Sequence, residues 1–414
     1  MNQLIGARAK KIAWVFALLY FSSYLMRINF AVMLVKVISE MQVEKTDLAI
    51  VITGLTVAYG TGQIVSGVLG DKIKPQYLLT AGLFIASACN VAMFFCTSIP
   101  AMTVVWSING LAHALLWPPM VRLMSMHLSD TEYGYAVVRV SWGSSGATIL
   151  LYLVCPMLLY MMSWRTIMLL CAGFGIAVMI LWLAISRRLL DTSAQLTDTT
   201  EPTQTSPVAP RTHIPVPKYV YIPIILIMLG IIMQGMLRDG VTNWLPSFLL
   251  ESFGIPEENA IVASVIPAIF SIVSFSVFDL LHRKVFRNEV FCASVIFGGA
   301  MICALALFLI NTLFPMQIPA ILFAALIIGA MHGINLMLIS VVPKRFAKTG
   351  KVSTYSGLLN SCTYIGAAIA TPGFAAIAQA FDWNATILSW GIIAAVGITA
   401  CLFATPLWKR FKDE

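Results

Sequence analysis

Charge is the scarcest property of this chain. Only 11% of its 414 residues are Asp, Glu, Lys or Arg, where a soluble domain carries about 25%. That deficit excludes an ordinary water-soluble fold, and the 59% hydrophobic content points to an integral membrane protein. Paired cysteine motifs are missing as well. Cys89, Cys96, Cys155, Cys171, Cys292, Cys303, Cys362 and Cys401 sit singly in apolar runs, which leaves them as small buried hydrophobes rather than metal ligands or a dithiol. No cluster with metal-ligand spacing, no nucleophile with its base and no glycine-rich phosphate loop occurs, so no enzyme chemistry, metal or cofactor is expected. The basic start "MNQLIGARAKK" leads into a full-length apolar run without a small-residue cleavage site, and reads as a retained first helix rather than a signal peptide.

What is abundant is the apolar run of about 20 residues, the length that crosses a hydrocarbon core. The pattern predicts twelve spans, near 12–38, 48–69, 77–97, 100–124, 136–160, 164–186, 219–249, 259–281, 289–311, 317–341, 354–379 and 385–407. The expected fold is therefore an all-α membrane protein with twelve transmembrane helices in two pseudo-symmetric six-helix bundles. Residues 1–188 form the first bundle and 219–414 the second. The Thr-, Pro- and Ser-rich stretch 189–218 is too polar to bury and reads as a cytoplasmic linker. With both termini cytoplasmic, 21 of the 26 Lys and Arg fall on the inner side, three outside and two within spans, the asymmetry that sets topology. The net charge of +8 is thus a signal read by a bilayer and not by nucleic acid.

The two basic residues inside spans are Arg27 and Arg238. Each precedes a glutamate, Glu40 or Glu251, by 13 residues, and the same offset of 211 relates Asp71 to His282. A fixed offset suggests two related bundles with a site between them at mid-depth. Thirteen residues at about 1.5 Å rise descend roughly 20 Å from the outer end, well into the core. A guanidinium there costs about 2.5–3.5 kcal/mol on insertion scales, so both are expected to face a wet cavity. Tyr20 and Tyr24 share a helical stripe with Arg27, and Gln234 and Thr242 share one with Arg238. Asp239 is the one mid-span carboxylate, but adjacent helix residues point in different directions, so it is not expected to neutralise Arg238. Two opposed planar forks suit an oxyanion of charge near −2, such as phosphate or a phosphate ester.

Other polar residues within spans are candidates for the same cavity. His113 and Trp117 lie four apart on the fourth span, His332 and Asn335 three apart on the tenth, and Asn360 and Tyr364 four apart on the eleventh. For each histidine, a pore ligand and a packing role stay open. Arg139 reads as an interfacial snorkelling residue. Gly143, Gly146 and Gly357 read as close helix packing, and "WPP" at 117–119 should kink the fourth helix. Asp71 with Lys72 is expected to latch inner helix ends in one state of a transport cycle.

The stretches "SSYLMRINFAVML", "LRDGVTNWLPSFL", "HALLWPPMVRLM" and "VVPKRFAKTGKVSTYSGLLN", with the loop "GVLGDKIK" at 67–74, resemble the organophosphate:phosphate antiporters of the major facilitator superfamily over nearly the whole chain. The resemblance implies exchange of an external organophosphate for internal inorganic phosphate by a rocker-switch motion. It also implies Arg27 and Arg238 as substrate arginines and Tyr20 as a pore tyrosine. The chain departs from that pattern at Gln63, where a lysine is common, at Trp142 or a neighbour, where a histidine is common, and at Arg283, where an aspartate is usual.

The expected activity is exchange of a small organic phosphate for inorganic phosphate. An empty site would leave two unneutralised like charges, so only the loaded carrier would turn over easily. Alternatives are a proton-coupled symporter of an organic carboxylate, using Asp239, His113 or His332, and a non-transporting sugar-phosphate sensor. The expected partners are a small anionic substrate, inorganic phosphate and the lipid bilayer, with no nucleic acid and no second copy; the short loops suggest a bacterial inner membrane. A reporter enzyme active only in cytoplasm, fused after Glu414, is expected to be active, and inactive when inserted after Glu40; the reverse pattern would invert the topology.

Overall fold

The computed structural model describes residues 5–190, 215–255 and 265–413. Most of the linker 189–218 and most of the acidic loop after Glu251 lie outside the described residues. Among the described residues, twelve helices are long and apolar enough to span a membrane. They are α1 (Ala7–Val32), α2 (Asp47–Lys72), α3 (Pro75–Phe95), α4 (Ile99–His127), α5 (Asp130–Met161), α6 (Trp164–Leu190), α7 (Lys218–Phe253), α8 (Val265–Lys284), α9 (Glu289–Leu313), α10 (Gln317–Thr349), α11 (Val352–Ala380) and α12 (Trp383–Lys412). Helices answer the bilayer's demand that every backbone polar group be paired within its own segment. Local signals set their ends. Ser129 and Glu132 form a capping box ahead of α5, Asn288 caps α9 by accepting from the Val290 and Phe291 amides, and Pro75 opens α3.

α1 and α7 begin 211 residues apart, at Ala7 and Lys218, and the packing repeats with them. α1 lies on α5 and α6, α2 on α4, and α3 on α4 and α6; each pairing has its counterpart six helices later. Between the halves the main contacts are α2 with α11 and α5 with α8, again a matched pair. Large apolar side chains such as Phe84, Ile180 and Phe403 point away from the bundle, where lipid would cover them.

Two helices are interrupted where the sequence removes backbone donors. α4 breaks at Leu115–Leu116, just before the two prolines that follow Trp117. α10 passes through a π-helical stretch, Leu336–Val341, ahead of Pro343, a local unwinding typical of functional positions. The glycines differ in how tightly they pack. Gly143 abuts the Ala17 carbonyl, whereas Gly146 faces only the Phe21 ring, at 3.9 Å. Gly357 of α11 abuts the Gln63 carbonyl of α2, and its missing Cβ would lie 2.9 Å from the Gly67 Cα.

That crossing draws together the ends of α2 and α11 on the face where the bundle begins and ends, here called the basal face; the opposite face is the distal one. Gly357→Val is therefore expected to force α2 from α11 and open the basal end. A cysteine placed at Ser353, in a background without the native cysteines, should then react with a thiol reagent about tenfold faster, as for a conformational shift of about 1.4 kcal/mol; unchanged labelling would show that the crossing does not control closure.

Candidate functional site

A cavity of about 500 Å³ lies between the two halves and reaches from mid-depth toward the distal face. Both Arg27 and Arg238 line it. Arg27 is placed by a polar knot behind α1. The Met26 carbonyl accepts from Asn90 at 3.0 Å and Asn109 at 3.1 Å, and Asn29 donates to Asn90 Oδ1 at 2.8 Å. These buried amides pin the turn of α1 that precedes Arg27. The guanidinium itself lies 4.2 Å from the Tyr24 ring centroid and 4.7 Å from that of Tyr59. Among the described residues no carboxylate comes within ion-pair reach of it. Tyr20 packs between Tyr24 and Trp117, and Tyr59 meets Tyr364 edge-on at 4.8 Å. The result is an aromatic collar whose ring faces hold a cation.

Arg238 differs. Its Nε and Nη2 donate to the Asp239 carboxylate at 2.6 and 2.9 Å. This pair was not expected from helical geometry, and the structure corrects that expectation: a long side chain can fold back along the helix surface and meet its neighbour side-on. With Asp239 ionised, two guanidinium groups and one carboxylate leave the cavity one net positive charge.

The α5–α8 wall is lined by hydroxyls. Ser144 donates to the Ser141 carbonyl at 2.8 Å, Thr148 to the Ser144 carbonyl at 3.0 Å and Ser271 to the Ala268 carbonyl at 2.7 Å. Ser145 and Ser271 bond across the two halves at 2.8 Å. Because Ser144, Thr148 and Ser271 spend their hydrogens on helix carbonyls, these hydroxyls present acceptor lone pairs to the cavity. His332 does likewise. Its Nδ1 meets the Ile328 carbonyl at 2.9 Å, and since a carbonyl only accepts, Nε2 is the free acceptor in the neutral ring. The cavity thus sets cationic donors against neutral acceptors.

Of the residues singled out from sequence, Tyr20, Tyr24, Arg27, Trp117, Arg238, His332, Asn335, Asn360 and Tyr364 line the cavity. Four do not. Gln63 is fully buried under the α2–α11 crossing. His113 is buried on the other side of the α4 break; the interruption cancels the i, i+4 register that would have placed it beside Trp117. Trp142 donates to the Ile272 carbonyl at 3.2 Å, a brace between α5 and α8. Gln234 donates to the Met331 carbonyl at 3.1 Å and accepts from Thr363 at 3.4 Å, tying α7 to α10 and α11. Arg139 lies over the Tyr135 and Trp142 rings, at 3.9 and 4.4 Å. Sequence reasoning missed Tyr59, which shares a face with Gln63 one turn away. It also missed the serine wall, although the i, i+4 pairs Ser141–Ser145 and Ser144–Thr148 were visible in "SWGSSGAT".

Below the cavity the basal end is closed. Asp71 of α2 accepts from the Ser353 and Thr354 amides at 3.0 and 2.7 Å. It caps α11 as an N-terminal carboxylate would, but from the other half. Lys72 is exposed and does not join it; the cation at Asp71 is Arg122 of α4, 3.8 Å away. Tyr133 donates to the Ser340 carbonyl in the π-helical stretch at 2.6 Å, and Lys344 pairs with Asp130 at 2.6 Å. Glu289, fully buried, fixes Arg345 at 2.9 Å and Lys412 at 3.3 Å. Asp71→Asn removes the charge from the cap and is expected to lower the closed-to-open ratio about fivefold, in line with a cap worth about 1 kcal/mol. Spin-label distances between the basal ends of α3 and α10 report it, and an unshifted distribution would remove Asp71 from the closure.

The sequence pattern of the family described as Major Facilitator Superfamily matches residues 16–371. A glycerol-3-phosphate transporter of Bacillus subtilis is 24% identical over 422 residues, covering 95% of this chain and 90% of that protein. A probable hexose phosphate transport protein of Chlamydia trachomatis is 31% identical over 132 residues, covering 31% of this chain and 29% of that protein. A D-galactonate transporter of Escherichia coli is 23% identical over 362 residues, covering 82% and 84%. Among solved structures, that of the transporter FucP in the outward conformation superposes with a TM-score of 0.67 at 13% identity, covering 96% of this chain and 99% of that one, a likeness of fold.

Proposed function

The chain belongs to the Major Facilitator Superfamily, and from that premise we propose that it is a secondary transporter of a small hydroxylated organic anion, with a phosphate ester as its cargo. The observation that carries this reading is the convergence of Arg27 and Arg238, one from each half, on a single cavity. Two planar forks match a phosphoryl head. The acceptor wall of α5 and α8 matches the hydroxyl hydrogens of a polyol or sugar tail, which an alkyl phosphate would lack. The glycerol-phosphate transporter that aligns over nearly the whole chain supports the same cargo. Inorganic phosphate shares the oxyanion head and is the natural counter-substrate. The placement of contacts supports an alternating mechanism. Cargo enters from the distal side and bridges the two halves through its head and hydroxyls. The distal ends then draw together, while the Asp71, Tyr133 and Lys344 contacts part and open the basal, cytoplasmic end.

A second reading is favoured by the Arg238–Asp239 pair: with one net positive charge, the site matches a monovalent sugar acid. Proteoliposomes loaded with phosphate decide between the two. They are expected to take up labelled glycerol 3-phosphate in preference to labelled galactonate; the opposite preference would select the second reading, and binding without uptake of either would point to a sensor. Arg27→Lys replaces a fork with a point charge and is expected to reduce uptake by at least about tenfold, the loss of one bidentate contact; near-normal uptake would take Arg27 out of the site.

A further inference from the structure

Asp239 is an acid in a cavity built for an acid. Its carboxylate, 26% exposed, is held by Arg238 through two hydrogen bonds of 2.6 and 2.9 Å. The repeat shows that this is a device of one half only. At the offset of 211, Arg238 corresponds to Arg27 but Asp239 corresponds to Ile28, and Arg27 rests on tyrosine faces instead. A brace would have served either half equally, and a brace is normally sealed from water; this carboxylate lines the cavity.

We propose that Asp239 is an internal anion, standing on Arg238 in place of the cargo's oxyanion while the site is empty and displaced into the cavity water when cargo binds. The proposal rests on the reading of the cavity as an anion site. Two consequences follow. Asp239 competes with the cargo, so it weakens anion binding. It also neutralises one of the two guanidinium groups in the unloaded site, leaving the other on its aromatic collar. The like-charge repulsion that would stop an empty carrier from occluding is thereby removed, and cargo can cross without a counter-anion returning. The obligatory exchange expected from two unpaired arginines is then relaxed by a single residue.

The test uses the purified full-length protein in liposomes loaded with labelled glycerol 3-phosphate. Efflux is compared between an outside medium with inorganic phosphate and one without it, and phosphate affinity is measured by calorimetry. The wild type is expected to release label without external phosphate. In Asp239→Asn, and equally in Asp239→Ala, the ratio of phosphate-independent to phosphate-driven efflux should fall at least tenfold. Phosphate should bind about tenfold more tightly, as for relief of a competing interaction of about 1.4 kcal/mol. Wild-type efflux that depends wholly on external phosphate overturns the proposal, as does an unchanged ratio in the variants. Weaker phosphate binding in both variants also overturns it, since Asp239 would then be positioning Arg238 for the cargo. If neither variant folds, the wild-type efflux decides alone. Absence of phosphate and glycerol 3-phosphate binding in the wild type defeats the anion-site reading itself, and the proposal with it.

Discussion

The structure turns on a guanidinium held in a low-dielectric core with no carboxylate of its own among the described residues. Arg27 brings a cost of about 2.5–3.5 kcal/mol into the bilayer, and the faces of Tyr24 and Tyr59 return about 0.5–2 kcal/mol each at best. Unless both rings act at the top of that range, a deficit remains, which water in the cavity or a ligand meets. That requirement explains the neighbourhood. The Asn29–Asn90–Asn109 knot fixes the turn of α1 ahead of the arginine, the collar of aromatics keeps its charge from lipid, and the cavity stays open at that depth.

The two halves solve the same problem differently. In the first, the cation is left to aromatic faces; in the second, it is given a carboxylate from the next residue. Helices related by a repeat need not remain chemically equivalent, and a transporter gains from the difference. On the proposed reading, one arginine stays available to attract an anion, while the other is exchanged between an internal and an external partner. The basal closures follow the same logic of shared partners. Asp71 completes a helix in the opposite half, and Tyr133 uses a carbonyl in the π-helical part of α10, below the cavity-lining His332 and Asn335. Site and closure are therefore joined through one interrupted helix.

Much of this was legible before any coordinates. Hydropathy gave twelve spans because the bilayer imposes a single length, and the offset of 211 paired Arg27 with Arg238. The losses have physical causes. His113 was placed beside Trp117 by helical spacing, yet where a kink was expected at "WPP" the helix is interrupted outright, which voids that spacing. Gln63 and Gln234 are polar residues on the right helices, but depth and rotation relative to α11 decide whether a side chain reaches the cavity or is sealed in a crossing. The Arg238–Asp239 bond was discounted because sequence spacing describes Cβ directions and not the reach of four rotatable bonds. The serine wall escaped notice because single hydroxyls give no charge signal; only their repetition every fourth residue marks them.

The cap that Asp71 lends to α11 has a thermodynamic corollary. When the halves part at that end, two amide hydrogens at the head of α11 lose their acceptor at once, and no residue of α11's own first turn replaces it in the structure described. Solvent must take over that duty. Hydration of the vestibule is then a reactant in the conformational step rather than its by-product, and osmotic stress, by making water less available, would bias the resting protein toward the shape seen here.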